Sequence, residues 1–254
     1  MKAVWKGFLG FGLVNIGVSL YSAIGEDKAD FRMLHKECKA PINYKRVCSE
    51  CGKEIPYEDI VKGLEVGKNE YYIFTKEELK NMRPKGNDFI EINEFVKLDQ
   101  IEYLYTDKHY FVGPQEGNLR AFSLLKTVLE DNELVAIGTF VMREKEYPCF
   151  IKNYNNGLLL TTMHYSHQIR DMSKVPTIGE EIELKEKEIE LANQLIEKLK
   201  NDSFNLTDYK DTFAENLKEA IKRKEEGEPI KYEERPEREE TQDLIESLRA
   251  SVEK

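Results

Sequence analysis

Alternation of apolar and polar residues dominates the first 180 positions and predicts β-strands there. Val14, Ile16, Val18 and Leu20 are separated by single small or polar residues, which is the period-2 pattern of a half-buried strand. Further short runs are rich in β-branched and aromatic residues; they read EYYIF, DFIEINEFV, IEYLYT, HYFVG, LVAIGTFVMR, CFIKNY and GLLLTTMHY. So many strands in succession predict a β-barrel or a β-sandwich.

Helical patterns interrupt the strands twice. Thr75 and Glu78 have the spacing of a capping box, so a short helix is predicted to begin there and to end by Pro84. Asn118 is predicted to be the N-cap of a longer helix. Apolar residues recur in that helix at helical spacing: Phe122, Leu125 and Leu129.

After Gly179 the pattern becomes helical and polar. One predicted helix carries an apolar stripe formed by Ile189, Ala192, Leu195, Ile196 and Leu199. A second helix is predicted after Thr207, with one apolar face formed by Phe213, Leu217 and Ile221. The polar, proline-containing segment 225–240 is expected to be mobile, and residues 241–254 can form a last short helix. Strands followed by helices predict an α+β chain.

Charge and composition narrow the classes of protein to consider. The formal net charge is −10, but residues 181–254 alone contain 22 acidic and 14 basic side chains, so the remainder is nearly balanced and can carry a basic surface. The apolar stretch near the N-terminus includes Lys6, Asn15 and several glycines, so it predicts a strand and no membrane helix. Three of the four cysteines crowd one segment, which fits a reducing cytoplasmic location better than a disulfide scaffold.

The segment HKECKAPINYKRVCSECGKEI, residues 35–55, predicts a structural zinc site. His35 with Cys38 and Cys48 with Cys51 form two ligand pairs, each spaced i, i+3. One short turn directs such a pair at a tetrahedral ion, and a second turn completes the four ligands. Gly52, directly after the second pair, lets the backbone fold back toward the sulfurs. The ion would hold shape, since four protein ligands leave no open position for catalysis.

Other interpretations of the thiols remain open. Cys48 and Cys51 can be a redox pair or simply buried thiols. Redox Cys-x-x-Cys pairs usually begin a helix in a βαβ setting, and no such pattern surrounds these two residues. Cys149 is predicted to be a small buried hydrophobe. His164 and His167 have the spacing of a ligand pair, and we interpret them as structural.

The chain contains no phosphate-binding loop, nucleophile elbow or metalloprotease helix, so the sequence predicts no enzyme. Basic residues instead surround the predicted zinc turns and recur at strand ends, which favours contacts with nucleic-acid phosphates. We expect such contacts from Lys6, Arg32, Lys36, Lys39, Lys45, Arg46, Arg143 and Arg170.

Four longer stretches are informative together: WKGFLGFGLVNIGVSLYSA, LHKECKAPINYKRVCSECGKEI, LLLTTMHYSHQIR and EIELANQLIEKLK. They resemble bacterial and archaeal Ku proteins, and the resemblance runs in order along residues 1–225. Two features depart from it. Gly17 stands where the family commonly has proline, which we expect to matter little in a strand. The chain also ends in an acidic tail where many bacterial members have a lysine-rich one.

The resemblance implies a β-barrel core with helical arms and C-terminal helices, plus a small zinc-ribbon-like bridge element. Residues 1–178 would form the Ku-type barrel domain, including the ribbon-like element at residues 32–56. Residues 179–226 would form the helical arm, and residues 227–254 an acidic, partly disordered tail. The zinc ligands His35, Cys38, Cys48 and Cys51 fall where the bridge of some members lies.

The resemblance also implies a function. Family members are non-catalytic homodimeric rings that bind DNA double-strand ends without reading sequence and recruit an ATP-dependent DNA ligase for non-homologous end joining. A nucleoid-associated protein of the cytoplasm, with no membrane contact, is therefore expected. The residues themselves leave two alternatives: a thiol–disulfide redox protein using Cys48 and Cys51, and a zinc-stabilised adaptor without DNA affinity.

Overall fold

A computed structural model describes residues 1–25, 29–82, 88–143, 145–180, 182–230 and 244–253. The chain divides into two compact units, Met1–Asp171 and Met172–Lys254. Among the described residues, no helix is long and apolar enough to cross a membrane.

The described residues of the first unit form nine strands and two α-helices. The strands are β1 (Trp5–Phe11), β2 (Val14–Ser22), β3 (Lys62–Gly67), β4 (Glu70–Phe74), β5 (Phe89–Lys97), β6 (Thr106–Pro114), β7 (Leu134–Met142), β8 (Lys145–Tyr154) and β9 (Gly157–Met163). The helices are α1 (Lys76–Met82) and α2 (Leu119–Asp131). Short 3-10 turns connect several of these elements.

Seven of the strands close into a barrel in the order β1–β2–β6–β9–β8–β7–β5, and β3 and β4 form a separate two-stranded sheet. Neighbouring barrel strands are antiparallel except β1 and β5, which pair in parallel and close the barrel. The barrel core and its strands confirm the α+β class and the barrel alternative. The ribbon-like bridge remains a prediction.

The apolar core lies among the barrel strands and beneath α2. Fully buried residues come from strands all round the barrel, for example Leu9, Ile90 and Leu160. The apolar face predicted for α2 is buried as expected and packs against β7 and β8; it consists of Phe122, Leu125 and Leu129. Trp5 adds a long-range contact, because its indole N–H donates to the Val141 carbonyl at 3.1 Å.

Asn118 has a different role from the predicted one. It does precede α2, but its side chain makes no capping hydrogen bond to the helix. Its Oδ1 instead accepts from the backbone N–H of Gly17 at 2.8 Å. A proline at position 17 would lack that N–H donor. The departure from proline therefore affects a hydrogen bond and matters more than we expected for a strand position.

The chain between β2 and β5, residues 23–88, is called the β2–β5 excursion below. Register places both of its ends at one end of the barrel, because Trp5 pairs with Leu20 near the end of β2, and Phe8 pairs with Phe89 at the start of β5. Only β1 separates them, about 10 Å across the sheet, and the register offsets them by about 17 Å along it, so the two ends lie roughly 20 Å apart. None of the excursion's described residues is buried.

Two local predictions have different outcomes in the structure. Thr75 and Glu78 form the expected capping box, with reciprocal bonds of 2.8 and 3.1 Å, and α1 is described to Met82; Pro84 lies outside the described residues. The predicted strand IEYLYT is wrong, because Tyr103–Tyr105 form a 3-10 turn and β6 begins only at Thr106. β1 and β3 were not predicted.

The second unit contains α3 (Glu186–Leu199), α4 (Thr212–Glu225) and α5 (Leu244–Glu253). α5 packs against α3, and the Lys198 ammonium donates to the Val252 carbonyl at 3.0 Å. The predicted stripe on α3 is divided: Ala192 and Leu195 are half-buried, whereas Ile196 is exposed. α5 corresponds to the short last helix that was predicted within residues 241–254. The segment expected to be mobile lies mostly outside the described residues.

Gly138 of β7 tests the close packing of the barrel. A Cβ atom at this position would overlap the backbone carbonyl of Glu91 on β5, so Gly138→Ala must displace one strand from the other. We expect it to lower the free energy of unfolding by about 1–3 kcal/mol, measured from urea unfolding curves. Gly157→Ala is the control, because a Cβ there meets nothing within 4 Å. Equal stability of both variants would contradict the packing.

Candidate nucleic-acid interface

The first predicted ligand pair lies on a tight turn of the β2–β5 excursion. The N–H of His35 donates to the Ala40 carbonyl, and the N–H of Lys39 donates back to the His35 carbonyl, both at 2.9 Å. Lys39 occupies the left-handed region, with φ 58°. The turn brings His35 Nδ1 to 3.1 Å from Cys38 Sγ, so these two side chains already face a common point.

The second pair lies on a turn with the same hydrogen-bond pattern. The N–H of Cys48 donates to the Lys53 carbonyl at 2.9 Å, and the N–H of Gly52 donates to the Cys48 carbonyl at 3.0 Å. Gly52 has φ 67°, the conformation that a glycine adopts without steric cost. An isolated β-bridge closes each turn. Leu34 pairs with Pro41 around the first turn, and Val47 pairs with Glu54 around the second.

The two turns form pairs of ligands rather than a set of four. Among the described residues, no three His, Cys, Asp or Glu side chains are grouped closely enough to hold a metal ion. Each pair separately fits a tetrahedral metal in spacing, exposure and donor type. Cys38 and Cys51 are exposed and Cys48 is half-buried, so burial does not prevent the thiols from serving as ligands.

Two cysteines have pKa values shifted in opposite directions. Backbone N–H groups of Cys51 and Glu50, with a further hydrogen bond from the Cys51 side chain, lower the pKa of the Cys48 thiol, which favours the thiolate that binds metals. Burial in the barrel raises the pKa of Cys149 to about 12. Cys149 is thus the buried hydrophobe that the sequence predicted.

The surroundings of Cys48 and Cys51 do not resemble those of a redox pair. Redox Cys-x-x-Cys pairs usually begin a helix, whereas these residues lie in a turn, and the first helical turn described after them begins at Tyr57. Both thiols are free. The local structure around these two thiols therefore lacks the helix that a redox pair usually begins.

The predicted basic residues are attached to one end of the barrel, the end at which β1 begins and the β2–β5 excursion starts and returns. Lys6 is exposed at the second position of β1. Arg143 follows β7, whose end lies there because Phe140 pairs with Ile90 near the start of β5. β9 also ends there, since Met163 pairs with Thr106 at the start of β6, and Arg170 follows it.

The remaining five basic residues all lie within the excursion and are exposed; they are Arg32, Lys36, Lys39, Lys45 and Arg46. Lys45 forms an ion pair of 2.8 Å with Glu54, which competes with a phosphate contact. Arg46 lies 5.4 Å from the centroid of the Tyr57 ring. The topology thus gathers all eight predicted contacts on one end of the barrel and the segment that leaves it.

Three contributors to this basic region were not among the predicted site residues. Tyr57 contacts Lys76 as well as Arg46, with the Lys76 ammonium 4.7 Å from the ring centroid. Lys145 lies beside Arg143 in the chain, at the start of β8, and its ammonium is 5.0 Å from the Tyr147 ring centroid. In the sequence, Lys145 could have been recognised from its position between two predicted strands. Tyr57 could have been recognised only from its closeness to the predicted zinc turns.

Comparison with known proteins adds an independent line of evidence. Residues 10–191 match the family model described as the Ku70/Ku80 beta-barrel domain. The chain belongs to the Ku family. A protein named non-homologous end joining protein Ku from Archaeoglobus fulgidus is 36% identical over 253 residues, covering 100% of this chain and 99% of that protein.

Relatives from bacteria bear the same name. The Ku protein of Heliobacterium modesticaldum is 35% identical over 253 residues, covering 91% of its own length, and that of Bacillus subtilis is 33% identical over 257 residues, covering 82%. The resemblance noted in the sequence is confirmed over the whole chain. As a Ku protein the chain is non-catalytic, as predicted.

The opposite pKa shifts of two cysteines predict opposite changes in reactivity on unfolding. In chelator-treated protein near neutral pH, Cys48 should react faster with iodoacetamide when folded than in urea, because its lowered pKa raises the thiolate fraction. Cys149 should react much more slowly when folded. Peptide mass spectrometry after timed quenching measures both rates in one sample. A folded Cys48 that reacts no faster than the unfolded one would contradict the proposed hydrogen bonds to its sulfur.

Proposed function

We propose that this chain binds DNA double-strand ends as a homodimer in non-homologous end joining. One observation carries the proposal: the similarity to the archaeal end-joining Ku protein covers both chains almost completely. The barrel, the β2–β5 excursion and the C-terminal helices therefore all have counterparts in that relative. Neither the redox nor the adaptor alternative explains similarity of this extent.

Binding would depend on phosphates and be independent of sequence. The eight basic residues named above are exposed and belong to one end of the barrel and its excursion. Lysine and arginine that neutralise phosphates release condensed counterions, which supplies affinity without base reading. The net charge of −10 does not oppose this, because most of the excess acid lies after residue 180.

A homodimer is proposed on grounds of size and exposed apolar surface. A compact chain of this length has a radius of gyration of about 18 Å, so one chain is too small to encircle a duplex and also keep its core. Large apolar residues of the second unit are exposed, including Ile196, Leu199 and Phe213. Such residues are typical of surfaces that a second chain covers.

Recruitment of an ATP-dependent DNA ligase belongs to the same proposal. End joining requires a strand-sealing step, and a non-catalytic protein cannot perform that step itself. The name shared by the full-length relatives supports a role in this pathway. The ligase would supply the chemistry, and the Ku dimer would hold the ends.

We also propose that the two turns of the excursion hold one structural zinc ion through His35, Cys38, Cys48 and Cys51. Support comes from the matching hydrogen-bond patterns of the two turns and from the 3.1 Å approach of His35 Nδ1 to Cys38 Sγ. The excursion has no described buried residue, so a metal would supply stability that packing does not. Zinc would contribute no reaction step.

The zinc proposal predicts one equivalent of zinc per chain in protein purified without chelator, measured by elemental analysis. Cys51→Ser should lose the zinc and leave the barrel folded, because the barrel has its own core. Cys149→Ser is the matched control: it should retain zinc and lower the stability of the barrel instead, since that thiol is buried there. Zinc-free protein with a Cys48–Cys51 disulfide would favour the redox alternative.

The ring proposal predicts that free DNA ends are required for binding. A dimer that closes before it meets DNA can load only over an end, so linear duplex should be bound while covalently closed circles of the same sequence compete poorly. Cutting the circle once should restore competition. Gel-shift competition at one moderate salt concentration measures this, and equal competition by both forms would contradict threading.

The same assay tests the phosphate contacts. Lys36→Gln should make the negative slope of log affinity against log salt shallower by ~0.9, the value for one lost phosphate contact. Lys97→Gln, at the far end of β5, is the control and should leave the slope unchanged. If linear DNA is not bound by the parent protein at any low salt, the adaptor alternative is favoured.

A further inference from the structure

A pocket of about 570 Å³ lies within the β2–β5 excursion, between β3, β4, α1 and the 3-10 turn Tyr57–Asp59. It is called the β3–α1 pocket here. Its volume falls within the range of about 300–1,000 Å³ typical of small-molecule sites. The lining residues are Tyr57, Glu58, Ile60, Val61, Lys62, Phe74, Thr75, Lys76, Glu77, Leu79 and Lys80.

Positive charge in the β3–α1 pocket is available to a ligand. Lys62, Lys76 and Lys80 are exposed, and none of the three has a carboxylate within ion-pair distance among the described residues. By contrast, Lys45 in the same excursion is paired with Glu54 at 2.8 Å. The three lysines thus remain free to bind an anion from solution.

Two cations contact the ring of Tyr57, which lines one edge of the pocket. Its ring attracts Lys76 at 4.7 Å and Arg46 at 5.4 Å from the centroid, in the manner of cation–π contacts. Two cations held against one ring repel each other, and an anion placed beside them would relieve that repulsion. The arrangement therefore favours a phosphate-sized anion at this edge.

The other walls of the pocket fit a nucleobase. Phe74, Ile60 and Val61 supply an aromatic and apolar surface, against which the flat face of a base can stack. Glu58 and Glu77 also line the pocket. Their carboxylates would repel a bare anion or an acidic peptide, but they can accept hydrogen bonds from the exocyclic amino group of a base.

We propose that the β3–α1 pocket binds one nucleotide, with its base on Phe74 and its phosphate near Lys76 and Lys80. The nucleotide is the unpaired terminal nucleotide of a DNA overhang, an assignment that rests on the proposed binding of DNA ends. The pocket would then distinguish ends that carry single-stranded extensions from blunt ends. Contacts between duplex phosphates and the basic residues do not require such a pocket.

The experiment uses the full chain and two hairpin-capped duplexes, each with one open end and identical paired sequence. One end is blunt, and the other carries a 5′-phosphorylated overhang of three nucleotides. We expect the overhang to be bound at least about fivefold more tightly, the lower limit for stacking one base on an aromatic side chain. Fluorescence anisotropy of the labelled hairpin loop measures both affinities.

A pair of variants assigns the preference to the pocket. Lys62→Gln combined with Lys80→Gln, which both line the pocket and lie outside the basic region described above, should reduce the preference to about onefold while the blunt duplex binds as before. Lys97→Gln, outside the pocket, should keep the preference. Thermal unfolding of all variants shows whether the changes alter stability, and Phe74→Leu, which keeps an apolar wall but removes the ring, should reduce the preference without removing charge.

Competitors distinguish the source of the nucleotide. Free deoxynucleoside monophosphate that binds the parent protein and not the double variant, without an overhang preference, would retain the nucleotide site and overturn its assignment to DNA ends. A poly-glutamate peptide that binds where no nucleotide does would overturn the proposal in favour of an acidic peptide. Equal affinity for both ends, with no binding of free nucleotide, would also overturn it. Failure of the blunt duplex to bind at all would instead count against the proposed function.

Discussion

The parallel pairing of β1 with β5 is the constraint on which the rest of the first unit depends. Every other neighbour in the barrel is antiparallel, and without this contact the sheet would have two open edges. A parallel neighbour cannot be reached through a tight hairpin, so β2 first returns the chain to the end at which β5 begins, and the chain then crosses the end of β1. Residues 23–88 make that crossing, and their position at one barrel end follows from the strand order and register.

Stability and function are consequently divided between two parts of the unit. The barrel contains the buried core, while the described part of the β2–β5 excursion has no buried residue and is organised by local turns, one ion pair and cations against an aromatic ring. A segment that does not need apolar residues for packing is free to carry lysine, arginine and ligand pairs. The same absence of a core leaves local hydrogen bonds and side-chain contacts as the main source of order in this segment.

The sequence predicted the features that local periodicity encodes. Apolar and polar residues alternate in the sequence of β2, other barrel strands were recognised from β-branched and aromatic residues, and both α2 and the capping box of α1 were recognised from spacing. β1 was missed because two of its buried positions, Gly7 and Gly10, are glycines that add no hydrophobic signal. β3 was missed because every residue in it is exposed or half-exposed, so it has no alternation to detect. IEYLYT misled because it contains two tyrosines that form no strand: Tyr103 is 91% exposed and Tyr105 belongs to the same 3-10 turn.

Long-range pairing escaped prediction for a different reason. Asn118 has the local spacing of an N-cap, and only the fold reveals that it binds Gly17, 101 positions away. The basic residues of the candidate interface were found by composition, yet their assembly at one barrel end depends on strand order and register. The ligand pairs were likewise visible in the sequence, whereas spacing does not encode whether the two pairs converge, and the described residues do not group them.

The closely spaced ends of the β2–β5 excursion also bear on how such a protein can evolve. Because the chain leaves the barrel and returns roughly 20 Å away at the same end, the barrel needs only that short distance to be bridged. Insertions, deletions or exchange of the whole segment would then leave the strand register intact. The barrel can therefore serve as a constant frame on which relatives acquire, lose or replace ligand-bearing turns independently of folding.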